Sequence, residues 1–271
     1  MRRKYLKCFI SQRKMLRSYP NKIFEGFQMF TIPTQAAVLL FVILISPAAS
    51  MYAADANEVL HLAFDENTGA TKAADSSGKG NNGTLMDSDP AAAWVTGKLG
   101  NALNFEGIND YVDCGTDPSL QLTGDLTLSI WIKPTSVEAK RQTLISKGSS
   151  PKTSEFCLIL EPSGQLSYYH HQAGRWQGAG LLAEETIQSG TWQHIAITRD
   201  AATRTLKGYY NGELKTTLAY PEDVLPMDNA DPVMIGNGVS GAFTGQMDDV
   251  RIYSRSLDWP EISALSEAVQ K

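Results

Sequence analysis

Between residues 60 and 253 the chain alternates short apolar runs with polar, glycine-rich breaks, and the spacing inside the runs is two. The clearest run is 126–134, where Leu126, Leu128, Ile130 and Ile132 fall on one face and Thr127, Ser129, Trp131 and Lys133 on the other. That alternation predicts a strand with one face in a core. Runs at 60–64, 101–105, 111–114, 143–146, 155–160, 166–171, 192–198, 205–210, 213–218, 233–236 and 247–253 read the same way. Asn211 and Gly212 stand between two of them, and such a pair marks a tight hairpin because both central residues of a type I′ turn need positive φ. The stretch 75–83, rich in Gly, Asn and Ser, is a turn: it lacks the Gly-Lys-Ser/Thr ending and the following helix of a phosphate loop. Only 258–268 has a helical pattern, opened by Asp258 as cap, Pro260 in the first turn and Glu261 closing a capping box. Many short strands with one late helix predict an all-β fold of two packed antiparallel sheets, since parallel strands would need crossover helices that are missing.

Ahead of the strands lies a different kind of sequence. Eight Lys and Arg residues precede position 31 with only Glu25 opposing them, which leaves 16 basic against 28 acidic residues in the rest of the 271. No basic face remains on the body for nucleic acid. The basic head runs into an uncharged apolar core at 36–45 and a small-residue tail ending near Ala54 and Ala56, the build of a secretory signal. That core is short of the about 20 residues a spanning helix needs, whereas the longer stretch from Met29 to Ala49 would serve as an uncleaved anchor, and Met29 is itself an alternative start. Residues 1–56 are therefore read as a head with a signal peptide or membrane anchor, 57–265 as the sandwich, and 266–271 as a tail. Either form places the body in the cell envelope or outside the cell. Export permits a disulfide between Cys114 and Cys157, although each also sits in a strand-like run where a free thiol packs as a small hydrophobe.

Five blocks carry a family resemblance, in order: 104–112 (NFEGINDYV), 128–134 (LSIWIKP), 191–198 (TWQHIAIT) followed by Arg199 and Asp200, 209–212 (YYNG) and 245–257 (GQMDDVRIYSRSL). Together they resemble laminin G-like domains of the concanavalin A-like lectin/glucanase superfamily. The resemblance implies a two-sheet antiparallel jellyroll sandwich with one short C-terminal helix. It also implies a structural calcium ion where the first and last strands meet, with Asp248 as the expected carboxylate, Asp65 as a second, and a backbone oxygen near Gly107. Calcium takes six to eight hard oxygen ligands, which carboxylates and carbonyls supply. Within the resemblance Trp131 and Trp192 match packed positions, and His194 is expected as a buried, hydrogen-bonded imidazole.

The superfamily holds lectins, adhesion modules and hydrolases, so fold alone leaves function open. Sugar sites need aromatic faces ringed by polar groups, and Tyr168, His170, Arg175 and Trp176 crowd one strand and the loop after it. Alternation sends Tyr168 and His170 to one face and Tyr169 and His171 to the other; one of these pairs is expected on the exposed concave side. A glycoside hydrolase would need two carboxylates about 5–5.5 Å apart, yet no Glu-x-Asp-x-x-Glu strand motif is present and Glu184 and Glu185 are adjacent. The expected function is an exported, non-catalytic module for a glycan, with a protein-binding adhesion or structural module as the alternative.

Overall fold

The run at 126–134 becomes the central strand of one sheet because both of its faces find cover. A computed structural model describes residues 55–268, apart from 139, 149–153, 173–174 and 223–225, and gives the backbone alone for 171–172, 175–177 and 179. The basic head and its signal or anchor lie outside the described residues. Two sheets make up the fold, each antiparallel. The first runs β14 (Glu213–Ala219), β13 (Thr205–Tyr210), β12 (Gln193–Asp200), β7 (Leu126–Pro134), β16 (Thr244–Tyr253), β5 (Asn101–Glu106) and β4 (Trp94–Thr96), with β1 (Glu58–Leu62) also on β16. The second runs β11 (Arg175–Leu182), β10 (Leu166–Gln172), β9 (Phe156–Leu160), β8 (Gln142–Lys147), β15 (Val233–Ile235), β6 (Tyr111–Asp113), β3 (Gly83–Met86) and β2 (Lys72–Ala73). This is the jellyroll sandwich.

Leu128, Ile130 and Ile132 of β7, Ile195 and Ile197 of β12 and Val250 and Ile252 of β16 face Phe156, Leu158 and Leu160 of β9 and Leu166 of β10 in one core. Burial of each such side chain contributes about 1.5–3 kcal/mol. First and last strands lie side by side, Leu60 opposite Ile252. Along β16, Thr244–Met247 pair with β5 and Val250–Tyr253 with β1. Between these stretches a bulge puts Asp249 at φ 47. On the outer side of the first sheet, helix α2 (Trp259–Ser266) buries Ile262 against Ala196, Tyr209, Tyr253 and Leu257. Asp258 and Glu261 form the expected capping box, and Asn211 and Gly212 take the expected positive φ, 48° and 79°.

Some elements were not legible. Strand β11 includes Arg175 and Trp176, which the sequence placed in a loop. Its glycines answer to packing: a Cβ at Gly178 would collide with the Tyr169 ring and one at Gly180 would crowd Gln165. The short helix α1 (Pro90–Ala93), capped by Asp89, was also not predicted. Trp192 is partly exposed rather than core, while Trp131 is buried.

Candidate functional site

Two of the three residues expected at a metal meet at one turn. The turn between β4 and β5 carries Gly97, Lys98, Leu99 and Gly100. Asp248 Oδ2 accepts from the Lys98 and Leu99 N–H groups, both at 2.8 Å, and Asp65 Oδ1 accepts from Asn101 N at 2.9 Å. Side chains at Gly97 and Gly100 would run into these carboxylates, so glycine is required at both. Burial pushes the Asp248 carboxyl up to about 7, with the charges of Asp249 and Asp65 adding to the effect and the two N–H bonds opposing it. Its Oδ1 is buried without a partner.

Gly107 does not join them. It lies past the far end of β5, and a strand of that length separates it from Asn101 by roughly 20 Å at 3.4 Å per residue. Its carbonyl accepts from Lys140 Nζ at 3.0 Å, so the expected backbone ligand is engaged elsewhere. Among the described residues no three His, Cys, Asp or Glu side chains converge on a common point.

A row beside Asp248 has the outline of a hydrolytic site. Asp248, Trp131 and His194 stand opposite one another on β16, β7 and β12, and His194 Nε2 lies 2.8 Å from Ser129 Oγ. Geometry resembles a nucleophile with its base, but the chemistry does not follow. His194 Nδ1 is buried with no acid to orient it; the neighbouring Asp249 is taken by His61 at 2.8 Å and by Arg251. Burial pushes the imidazole down to about 4, and Ser129 and His194 are no more than 1% exposed. His194 is the buried, bonded imidazole that its motif predicts. Asp249 is a contrasting case: burial would raise it, yet the bond from His61 and the Arg251 guanidinium bring it down to about 2.

The expected aromatic platform is turned the other way. Tyr168 and His170 are both fully buried between the sheets, their rings 5.6 Å apart and His170 against Tyr220 at 5.2 Å. What holds Tyr168 there is Arg199, a fully buried cation on the inner face of β12. It donates to Tyr168 Oη at 2.6 Å, to Gly124 O at 2.8 Å and to Leu122 O. Period-two reading separated the two faces of β10 correctly but could not tell which was the inner one, because Arg199 makes a polar inner face tolerable. Tyr169 lies on the opposite face, where Arg141 caps its ring at 5.3 Å and Glu161 accepts from its hydroxyl at 2.9 Å. Arg175 and Trp176 pair in register with Gln172 and His171; their side chains lie outside the described residues. Nearby, Glu155 Oε1 accepts from Leu122 N, and Lys147 Nζ sits 3.6 Å from its other oxygen.

Cys114 and Cys157 are free and buried. Cys114 follows β6 and Cys157 is on β9, three strands apart in the second sheet. That is roughly 14 Å at 4.8 Å per strand, against the roughly 7 Å limit of a disulfide. The bridge that export would permit is thus excluded in favour of the two packed thiols that the strand-like runs suggest, each pushed up by burial.

An open site does exist where the sequence gave little sign of one. A cavity of about 140 Å³ lies between α1 and the turn after β5, lined among others by Asp87, Ala92, Asn104, Glu106, Ile108 and Asn109. Asp110, itself buried, fixes this turn by accepting from Glu106 N at 2.6 Å and Gly107 N at 3.1 Å. The available signal was Ile108, a large apolar residue isolated among turn-forming neighbours.

With this geometry in hand, the comparisons fall into place. A laminin G-type family model, described as the concanavalin A-like lectin/glucanases superfamily, matches residues 106–263, and the chain belongs to that superfamily. No curated protein matches it. Among solved structures it is similar to domain 4 of AbnA, an extracellular GH43 arabinanase from Geobacillus stearothermophilus in complex with arabinotriose, at 23% identity and a TM-score of 0.60 over 78% of this chain and 98% of that one. It also resembles the ligand-binding domain of botulinum neurotoxin serotype D in complex with N-acetylneuraminic acid, at 16% identity and a TM-score of 0.58, over 78% of this chain but 51% of that one. A third likeness is to the Ruminococcus gnavus IT-sialidase CBM40 bound to α2,3-sialyllactose, at 18% identity and a TM-score of 0.52, over 61% of this chain and 96% of that one. The chain thus spans about half the length of the neurotoxin domain.

Proposed function

We propose that this chain is an exported, non-catalytic module that binds carbohydrate. The observation that carries the reading is the pairing of a jellyroll whose structural likenesses include domains solved with arabinotriose, N-acetylneuraminic acid and sialyllactose with an open, polar cavity on its surface. The module is not an enzyme: the nucleophile-like pair Ser129 and His194 is sealed from substrate, and Glu184 and Glu185 are exposed neighbours in a turn rather than a facing pair. Export rests on the basic head and apolar core before Asn57, and among the described residues no helix is long and apolar enough to cross a membrane.

Calcium, if bound, would be held by Asp65 and Asp248 with carbonyl oxygens of the chain around them. The unpartnered Asp248 Oδ1 fits one ligand position, and a divalent ion would supply the charge that the buried carboxyl lacks; its role would be to clip the Gly97–Asn101 turn to β16. A protein-binding adhesion or structural module is the second reading, favoured by Trp259 at 56% and Leu214 at 46% exposure beside the free edge of β14.

A glycan-array screen of the full chain, with calcium and with chelator, tests the proposal. Retention of a defined set of glycans is expected, together with a higher melting temperature in calcium. A chain that retains no glycan under either condition overturns the sugar reading, and identical melting curves overturn the calcium clip.

A further inference from the structure

We propose that the cavity between α1 and the Glu106–Asp110 turn is where this module contacts its glycan, and that it takes a single sugar ring without a carboxylate. The inference deepens the glycan reading above and depends on it.

Shape comes first. The hollow exists because α1 places small side chains, Ala92 and Ala93, beneath a turn that stands clear of the sheet. At about 140 Å³ it falls below the roughly 300–1,000 Å³ clefts that enclose drug-sized molecules, so it admits one ring rather than a chain. The turn that walls it is rigidly built. Asp110 holds two of its N–H groups, and Gly107, at φ +79, is pressed so closely by the Thr244 side chain that no Cβ would fit. This bracing presents Ile108 at 73% exposure. A large aliphatic side chain held in water by a braced turn buries nothing in the fold; a partner that covers it would recover that apolar area.

The lining chemistry then selects the partner. A sugar ring offers an apolar C–H face edged by hydroxyls that both donate and accept. Ile108 and the alanine floor suit the C–H face. The half-buried Asn104 amide, which can donate and accept, suits the edge, and the Glu106 and Asp87 carboxylates accept from hydroxyl pairs. Charge narrows the choice further. Four carboxylates line the cavity, those of Asp87, Asp89, Glu106 and Asp110, with no Lys, Arg or His among the lining residues. The nearby Lys140 ammonium is held by Gly107 O. A ligand carboxylate would meet like charge on entering the hollow, and that repulsion disfavours it. The cavity therefore fits a neutral sugar and rejects sialic and uronic acids.

Titration of the full chain with arabinotriose, xylotriose, maltotriose, chitotriose and sialyllactose, probed by calorimetry beside the array, tests this. The wild type is expected to bind at least one uncharged trisaccharide at least tenfold more tightly than sialyllactose. Asn104→Ala and Ile108→Ala are each expected to weaken that binding at least tenfold with an unchanged melting temperature, and the double variant Asp87→Lys, Glu106→Lys to narrow or reverse the preference. Unaltered binding in both single variants, or tighter binding of sialyllactose by the wild type, overturns the assignment of this cavity while the glycan reading stands. A wild type that binds no glycan on the array overturns both.

Discussion

The Asp248–Trp131–His194 row outside the first sheet and the hollow around Asn104 hold similar chemistry: carboxylate, a nitrogen-bearing side chain and an apolar wall. The row is shut, with Lys98 Nζ lying 4.7 Å over the Trp131 ring and each of its three side chains no more than 5% exposed. The hollow is open to water. Polar groups that are shut in hold the structure together, since desolvating them is costly unless each finds a partner. Those left open are available to a ligand. Residue types alone would have ranked the two regions the other way, because a Ser–His pair looks more like chemistry than an Asn beside an Ile.

That contrast can be broken by mutation. The largest effect is expected at Arg199, a fully buried charge in the inner face of the first sheet. Arg199→Met should cost about 3–5 kcal/mol in denaturant unfolding, because it strips partners from Tyr168, Gly124 and Leu122 together. Next comes a pH effect at Glu155, whose carboxyl burial pushes from 4.5 up to about 7. Across that interval the folded state holds the proton more tightly than the unfolded one, so this group's contribution is greatest below pH 4.5 and declines until about pH 7, by on the order of 2–3 kcal/mol. His194, pushed down from 6.5 to about 4, acts in the opposite sense and weakens the fold as pH falls through that range. The difference between wild type and Glu155→Gln in unfolding measured from pH 4 to 8 isolates the carboxyl; parallel curves would contradict it. Asp248→Ala should cost about 2 kcal/mol, since it leaves the Lys98 and Leu99 N–H groups unpaired. The smallest effect belongs to the open region: Ile108→Ala should leave stability within about 0.5 kcal/mol, and a larger loss would show that the turn serves the core instead.

Much of the architecture was legible from alternation alone, because a strand with one buried face must repeat every two residues. Leu126 to Ile132, the Asn211–Gly212 hairpin and the Asp258 capping box needed only local chemistry. Strand β11 did not announce itself because its glycines answer to Tyr169 and Gln165, neighbours supplied by a different strand. The site was less legible for a related reason. The family resemblance brought Asp65 and Asp248 to one place, and both carboxylates do hold the Gly97–Asn101 turn, but Gly107 was assigned to them although β5 carries it to the opposite end. Tyr168 and His170 looked exposed because nothing in their own segment reveals the arginine waiting across the sandwich.

The last long strand, β16, has a consequence for how the chain comes to be made. It lies at the middle of its sheet, joined to β7 on one side and to β5 and β1 on the other, yet among the described residues it follows every other strand of the sandwich in the chain. Until it docks, the opening strand has no strand to pair with and β5 is joined only to β4, and the contacts β16 supplies span nearly the whole body, which makes closure slow. The first sheet therefore stays divided, with β7 and its neighbours on one side and β5 and β4 on the other, until this one strand docks between them.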